Sequence, residues 1–236
     1  MWTISEIKET GRASFKANYW PCVLVAFLIT LFTGSGAASG RASGNSTGSS
    51  SDLVNAFQSL SQSEQIAAVL AFVGILAGAC ALGLVVKIFL SNPIRLGGAT
   101  FFKNNIETGS APVSTVGTGF RNYWHNFVVL FLRDLYLILW FLLLIIPGFV
   151  KAYSYCMVPY ILAENPDMSA REVITRSREM MDGNKWQAFL LDLSFIGWIF
   201  LSIVTLGLGL VFWTAPYMES THAALYLKLK EETQYA

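Results

Sequence analysis

Long apolar segments separated by short polar ones give this chain its dominant pattern. A transmembrane helix requires about 20 mostly apolar residues, and six segments approach or reach that length. They are Trp20–Thr33, Ile66–Leu90, Trp124–Ile146, Phe149–Ala163, Trp186–Leu206 and Leu210–Leu227. The pattern predicts an all-α polytopic membrane protein, a single transmembrane domain over residues 1–236 with six transmembrane helices.

Composition supports this class and narrows the possible partners. Hydrophobic residues make up 54% of the chain and charged residues only 13%, against about 25% charged in soluble domains. The net charge of +1 gives no argument for a nucleic-acid partner. Cys22, Cys80 and Cys156 are scattered in apolar segments, with neither disulfide nor zinc spacing. Nucleotide-binding loops, zinc-protease motifs and nucleophile elbows are absent from the sequence, so we expect no enzymatic activity, cofactor or metal.

The distribution of Lys and Arg predicts the orientation. Twelve of the 16 lie in the N-terminal segment, the links after the second and fourth apolar segments, and the C-terminal tail. Arg41 alone lies in a loop on the opposite side, and Lys151 falls near the outer end of the fourth segment. Positive charge accumulates on the cytoplasmic side. We therefore expect a multi-pass protein of the cell membrane with both termini cytoplasmic.

Residues 34–51 are a low-complexity run of Gly, Ser and Ala. Such a composition predicts a flexible external loop. An alternative is a signal peptide, because basic residues, a short apolar segment and the small residues Ala37-Ala38-Ser39 also occur in cleaved leaders. The repeat described next favours retention of the first helix.

An Asn-x-Trp motif stands at the start of three apolar segments. Each returning segment carries a proline, and Ile146-Pro147-Gly148 gives one of the tight turns that predict antiparallel hairpins. The sequence thus predicts three repeated helical hairpins, at about 1–105, 106–168 and 169–236. A chance recurrence of the motif is the alternative. The motif residues are Asn18, Trp20, Asn122, Trp124, Asn184 and Trp186, and the prolines are Pro93, Pro159 and Pro216.

Amphipathic helices precede the first and third motifs. Thr3 with Glu6, and Ser169 with Glu172, have the spacing of capping boxes. Asn or Gly can end such a helix in the left-handed conformation, so that the chain turns into the bilayer where the Trp ring reaches headgroup level. Basic helices of this kind favour anionic lipid; packing against the end of the bundle is the alternative. The basic residues concerned are Lys8, Arg12, Lys16, Arg171, Arg176 and Arg178.

Arg133, Asp134 and Asp192 form a candidate charged cluster within the membrane. At about 1.5 Å per residue, they lie roughly 9–15 Å beyond the Trp of their own segment. Charges at that depth are costly and should face the bundle and pair. We expect an Arg133–Asp192 pair between helices, either in a polar pathway for an ion or solute or as a structural contact. Glu219 and His222 share a helix face, but two residues are weak evidence for a metal site or proton relay.

The stretch PYILAENPDMSAREVITRSREMMDGNKW, from Pro159 to Trp186, resembles the signature of a bacterial membrane family known as domain of unknown function 975. That family is common in Gram-positive Firmicutes. A looser version is similar to the membrane domain of some glycerophosphodiester phosphodiesterases. The resemblance implies the fold and a membrane location, and leaves the activity unassigned.

Two functions are compatible with these features. The first is a non-enzymatic protein that organises lipid, or a membrane protein partner, at the cytoplasmic face. The second is a transporter or channel for a small solute or ion, using the charged cluster. Small residues such as Gly74 and Gly78 also predict close helix packing, within the chain or in a homo-oligomer.

Overall fold

The computed structural model of this protein describes residues 2–33, 61–205 and 207–234, and within these ranges every regular element is helical. The predicted all-α class is therefore confirmed. The predicted loop 34–51 and the candidate cleavage site lie outside the described residues. Met1–Ala37 and Phe89–Ala236 form one compact unit, to which all the contacts below belong; Ala38–Ile88 forms a second.

The helices of the described ranges are numbered here in chain order. They are α1 (Ile4–Ala17), α2 (Tyr19–Thr33), α3 (Gln62–Thr108), a 3₁₀ helix (Val113–Phe120), α4 (Tyr123–Leu143), α5 (Ile145–Ser154), α6 (Val158–Glu164), α7 (Ala170–Met180), α8 (Lys185–Leu193), α9 (Ile196–Val204), a π-helical turn (Leu210–Thr214) and α10 (Ala215–Gln234).

Three segments in the described part of the chain are long and apolar enough to cross a membrane. They are Tyr123–Leu143, Ile145–Glu164 and Lys185–Val204. A fourth is counted if Ile4–Ala17 and Tyr19–Phe32, which meet at an angle of 106°, are taken together. Many large apolar side chains of these segments point outward, among them Leu142 and Val204. These helices are consistent with a multi-pass helical membrane protein, and the finer count of six spans stays a prediction.

Helix α10 lies at the centre of the packing and contacts α1, α2 and α7. Its small and polar residues Ser220, Thr221 and Ala223 are fully buried. Small residues allow close approach: a Cβ added to Gly11 of α1 would lie 2.8 Å from the Cα of Thr221. The last predicted apolar segment therefore forms an internal helix, preceded by a π-helical turn.

Helix α1 forms as its sequence predicts but is held by protein contacts. The Thr3 hydroxyl accepts a hydrogen bond from the backbone N–H of Glu6, and Phe15 is buried. Lys228 of α10 lies 2.8 Å from the Glu6 carboxylate, and this hydrogen bond raises the pKa of Lys228. The apolar face of α1 thus packs on the bundle, as the alternative in the sequence reading proposed.

Helix α7 begins with the predicted capping box. The Ser169 hydroxyl accepts from the Glu172 N–H while the Glu172 side chain accepts from the Ser169 N–H, and the hydrogen bonds from Ser169 lower the pKa of Glu172. Val173 and Ile174 are buried on the predicted face. That face packs on α4 and α6, so α7 is anchored to other helices of the chain.

Glu164, in the signature stretch, ties three elements together. Its carboxylate receives the ammonium groups of Lys103 of α3 at 3.1 Å and Lys230 of α10 at 2.8 Å. The Tyr226 hydroxyl donates to the same carboxylate at 2.9 Å. This cluster joins α3, the end of α6 and α10.

The three prolines predicted for the returning segments differ in their local structure. Pro93 lies inside the continuous helix α3. Pro159 occupies the second position of helix α6. A proline in the first turn removes no helical hydrogen bond, because the N–H groups there have no acceptor within the helix. Pro216 instead follows the π-helical turn without a break in the helical backbone, and the Ala215 N–H donates to the Leu210 carbonyl oxygen five residues back. The returning segment therefore breaks and restarts in the second predicted hairpin, and continues through a π-helical turn in the third.

Candidate functional site

The three Asn-x-Trp motifs share one backbone hydrogen bond. The carbonyl oxygens of Asn18, Asn122 and Asn184 each accept a hydrogen bond from the N–H four residues later, at 3.1, 3.0 and 3.0 Å. Each tryptophan is then the second residue of its helix. The exposed fractions of Trp20, Trp124 and Trp186 are 70%, 69% and 67%. All three indoles therefore stand outward from the first turn of an apolar helix.

The turns before the motifs are less uniform. Asn122 adopts the left-handed conformation with a φ of 50°, and Gly183, just before Asn184, has a φ of 77°. Asn18 instead has a φ of −130°, so the left-handed turn predicted there is wrong. Its side-chain amide donates to the side-chain oxygen Oδ1 of Asn105 at 2.8 Å, and this tertiary contact fixes the bend.

The position six residues beyond each tryptophan faces the inside of the bundle. Ala26 and Leu130 occupy it in the first two segments and are fully buried. Asp192 occupies it in the third and lines a cavity of about 330 Å³. The one acidic member of this set thus lies where an internal space is available.

This cavity, called the charged cavity below, brings together all three predicted charges, Arg133, Asp134 and Asp192. Arg95 of α3 and the α10 pair Glu219 and His222 also line it. The sequence reading did not assign Arg95, because nothing in the local pattern relates α3 to α4 or α10. Apolar side chains, including Ile29 and Leu225, complete the walls.

The predicted Arg133–Asp192 pair is wrong. Arg133 instead donates two hydrogen bonds to its chain neighbour Asp134, at 2.9 and 2.6 Å. Asp192 accepts from the Tyr153 hydroxyl at 3.0 Å and lies 2.7 Å from Nε2 of His222. Each predicted charge has found a nearer partner, on the same helix for Arg133 and on α5 and α10 for Asp192.

Two charged groups in the charged cavity remain without a bonded partner. Arg95 and Glu219 form no hydrogen bond or ion pair with any other described residue, although each lies within Coulombic range of the other. Arg95 is accessible to solvent because its side chain borders the cavity. The Cys156 thiol at the wall donates to the backbone carbonyl of Tyr153. The arrangement is suited to binding charged groups.

A second feature is an open groove between α4, α5 and α7, called the basic groove below. Its volume is about 630 Å³. Lys151, Arg171 and Arg178 line it together with Tyr136 and Trp140, and the Lys151 ammonium lies 4.9 Å from the centre of the Trp140 ring. It thus combines cations, aromatic rings and apolar walls.

The groove corrects the placement of Lys151. The sequence assigned this residue to the outer end of its segment, away from the basic α7. Lys151 instead borders one small pocket with both Arg178 and Lys185. The reason is the short first part of the returning segment: α5 ends at Ser154, and the chain breaks there. These three cations therefore lie on one side of the protein.

The other basic residues predicted to face lipid divide into two groups. Arg12, Lys16 and Arg176 are exposed. Lys8 is half-buried: its ammonium donates to the Ser194 hydroxyl at 3.1 Å and lies 4.6 Å from the centre of the Phe195 ring. Lys8 is directed at the break between α8 and α9, and its lipid contact stays a prediction.

Outward-facing apolar helices around a charged cavity are typical of an integral membrane protein of the helical-bundle class. Residues 141–233 match the model of the family described as Protein of unknown function (DUF975), so the resemblance in the signature stretch is confirmed over that segment. No curated protein and no solved structure matches the chain. The Firmicutes source and the kinship with phosphodiesterase membrane domains stay expectations. Among the described residues no group of three His, Cys, Asp or Glu side chains is placed to hold a metal ion.

Proposed function

We propose that this protein is a non-enzymatic, multi-pass protein of the bacterial cell membrane that binds and organises anionic lipid at the cytoplasmic face. The basic groove carries the proposal, because Lys151, Arg171 and Arg178 converge there beside Tyr136 and Trp140. The matched family has no assigned activity, so the proposal rests on these side chains alone.

Three physical properties of the basic groove favour a lipid headgroup. Its cations attract phosphate, and an arginine guanidinium can bind phosphate through two hydrogen bonds. Tyr and Trp rings prefer the headgroup level of a bilayer. Leu142 and Ile146, at the tip of the α4–α5 hairpin, are largely exposed and offer apolar surface to acyl chains.

The test compares two double variants of the purified protein in detergent, with phosphatidylglycerol and phosphatidylcholine as probes. Each basic residue near an anionic surface contributes about 1 kcal/mol. Arg171→Gln with Arg178→Gln should therefore weaken phosphatidylglycerol binding by about 2 kcal/mol, or roughly thirtyfold. The matched control is Arg176→Gln with Arg121→Gln, which removes the same charge from exposed positions outside the groove.

Native mass spectrometry of bound lipid, or the thermal shift on adding lipid, gives the readout. Equal losses in both double variants would mean that diffuse surface charge binds the lipid, and would contradict a site in the groove. Unchanged phosphatidylglycerol binding in the groove variant would leave this surface to a membrane protein partner or a second copy of the chain.

A transporter or channel for a small solute or ion is the second candidate. The charged cavity favours it, because Asp192, Arg133 and Glu219 border an internal space of about 330 Å³. In proteoliposomes Asp192→Asn should abolish solute flux under this hypothesis. If sealed proteoliposomes that contain the parent protein show no flux of any ion or solute, the transporter candidate is excluded.

The proposed topology has both termini cytoplasmic, with Lys151 near the tip of the α4–α5 hairpin on the same side as α7. Three segments and the bent α1–α2 pair have the required length and apolarity. The excess of Lys and Arg in the segments predicted to lie on the cytoplasmic side supports the orientation. Labelling of residues 34–51 by a membrane-impermeant reagent only from outside would support this orientation. Labelling only from inside would mean that the orientation is the reverse.

A further inference from the structure

The charged cavity holds charges that its own protein contacts leave unsatisfied. Asp192 is occupied by Tyr153 and His222, and Arg133 is occupied by Asp134. Arg95 and Glu219 border the same space without a hydrogen bond or ion pair in the described part of the chain. Arg95 is exposed and Glu219 half-buried, so a ligand that enters the cavity can reach both charges and supply the partners that the protein does not.

The charge balance of the cavity limits the class of that ligand. Its walls carry two guanidinium groups and three carboxylates, and His222 adds a positive charge when it is protonated. A ligand with a large net charge of either sign would leave this balance disturbed. A ligand with one negative and one positive group would bind Arg95 through the first and Glu219 through the second.

The size and walls of the cavity fit a small molecule. Its volume of about 330 Å³ is at the lower end of the range for ligand pockets, about 300–1,000 Å³. Ile29, Leu137 and Leu225 add apolar surface between the charged groups. We propose that the charged cavity binds a small zwitterion, with its carboxylate or phosphate on Arg95 and its ammonium on Glu219. The site goes beyond lipid binding at the basic groove and needs no transport step.

The proposal predicts how Arg95 and Glu219 affect the stability of the ligand-free protein. A side chain that stabilises the fold lowers the melting temperature when it is neutralised, whereas an unpaired charge in a cavity costs stability. Arg95→Gln and Glu219→Gln should therefore each leave the ligand-free melting temperature unchanged or raise it. Both should weaken the binding of a zwitterion at least tenfold. Arg121→Gln and Glu179→Gln are the matched controls, since they neutralise exposed residues outside the cavity.

The experiment measures binding by calorimetry and thermal shift, with the full chain in detergent. The zwitterionic probes are glycine and O-phosphoethanolamine, and the singly charged probes are acetate and ethylamine. A zwitterion should bind at least tenfold more tightly than either singly charged probe, and each cavity variant should lose at least tenfold. Phosphatidylethanolamine in nanodiscs forms a separate arm: binding there, without binding of the free probes, assigns the site to a lipid headgroup.

The outcomes separate this inference from the functions proposed above. Zwitterion binding without flux in proteoliposomes supports the site and removes the transport candidate. If the groove variants lose phosphatidylglycerol binding but still bind the zwitterion, the basic groove and the charged cavity are independent sites. If neither a free zwitterion nor phosphatidylethanolamine binds, the cavity holds only water and the inference is overturned. A lowered ligand-free melting temperature in both cavity variants would likewise overturn it, by making Arg95 and Glu219 structural.

Discussion

Glu164 shows how much a single carboxylate contributes when its neighbours come from distant parts of the chain. The residue ends the short helix α6, and its donors lie 61 or more positions away in sequence. Only 14% of its side chain is exposed, so water competes weakly with Lys103, Lys230 and Tyr226. A sequence pattern marks Glu164 as part of a signature, but only the packing of α3 and α10 reveals why the carboxylate is needed.

Replacing Glu164 with Ala should therefore destabilise the fold strongly. Removing one partner of a mostly buried ion pair costs about 3 kcal/mol, since the other charges are left unpaired. That corresponds to a melting temperature lower by about 6–12 °C in a chain of this size, measured by differential scanning fluorimetry in detergent. Glu179→Ala, at an exposed position of α7, is the control. A loss in Glu164→Ala no larger than in this control would contradict the role.

Charged residues illustrate where sequence reasoning stops at the residue scale. Apolar context alone located Arg133, Asp134 and Asp192, because charge in a long apolar segment is conspicuous. Their partners were not predictable, since Tyr153 and His222 are brought to Asp192 by helices that are remote in sequence. Arg95 was missed because it lies just beyond an apolar segment, where a basic residue is expected at the membrane surface.

At the scale of elements, the contact between α1 and α10 depends on a residue without a side chain. Gly11 lies in the buried stripe of α1, directly against the backbone of Thr221. The sequence predicted an amphipathic helix here. It gave no reason to choose between a lipid surface and a protein surface as the partner of that stripe, because both are apolar.

Adding one methyl group at Gly11 should separate these two helices. Overpacking of this kind costs typically 1–3 kcal/mol, and Gly11→Ala should lower the melting temperature accordingly. Gly197→Ala in α9 is a matched control, because a Cβ there meets no atom within 4 Å and alanine favours a helix. If Gly11→Ala and Gly197→Ala both have the melting temperature of the parent protein, α1 does not pack on α10 at Gly11.

Helix α7 and the α4–α5 hairpin are a second case in which local structure was predictable and docking was not. The capping box at Ser169 follows from the sequence because all its atoms lie within one turn. The position of α7 depends on its packing against α4 and α6, which lie outside the capping box. For that reason the sequence placed Lys151 and Arg178 on opposite sides, whereas they lie together.

Cysteine labelling checks this arrangement. In a background without Cys22, Cys80 and Cys156, the variants Lys151→Cys and Arg178→Cys should react with an impermeant maleimide from the same side of the membrane. Arg41→Cys, in the predicted external loop, should react from the other side. Labelling of positions 151 and 178 from opposite sides would refute the shared basic groove.

At the scale of the whole molecule, hydropathy predicted the class better than the number of spans. Apolar segments that face lipid and apolar segments that are buried inside the bundle have similar composition, and a hydropathy window cannot separate them. The last segment illustrates this: α10 is surrounded by other helices and buries Ser220 and Thr221. Long outward-facing segments such as Tyr123–Leu143 remain the clear candidates for crossing the bilayer.

The three equally exposed indoles restrain how the whole molecule can move. Trp20, Trp124 and Trp186 project from three separate helices, and an indole is held at headgroup depth by its ring and its N–H. One such ring fixes a depth, and two leave the protein free to rock about the line that joins them. The third ring removes that rocking and sets a tilt, so a bundle resting on all three has a defined inclination to the bilayer normal.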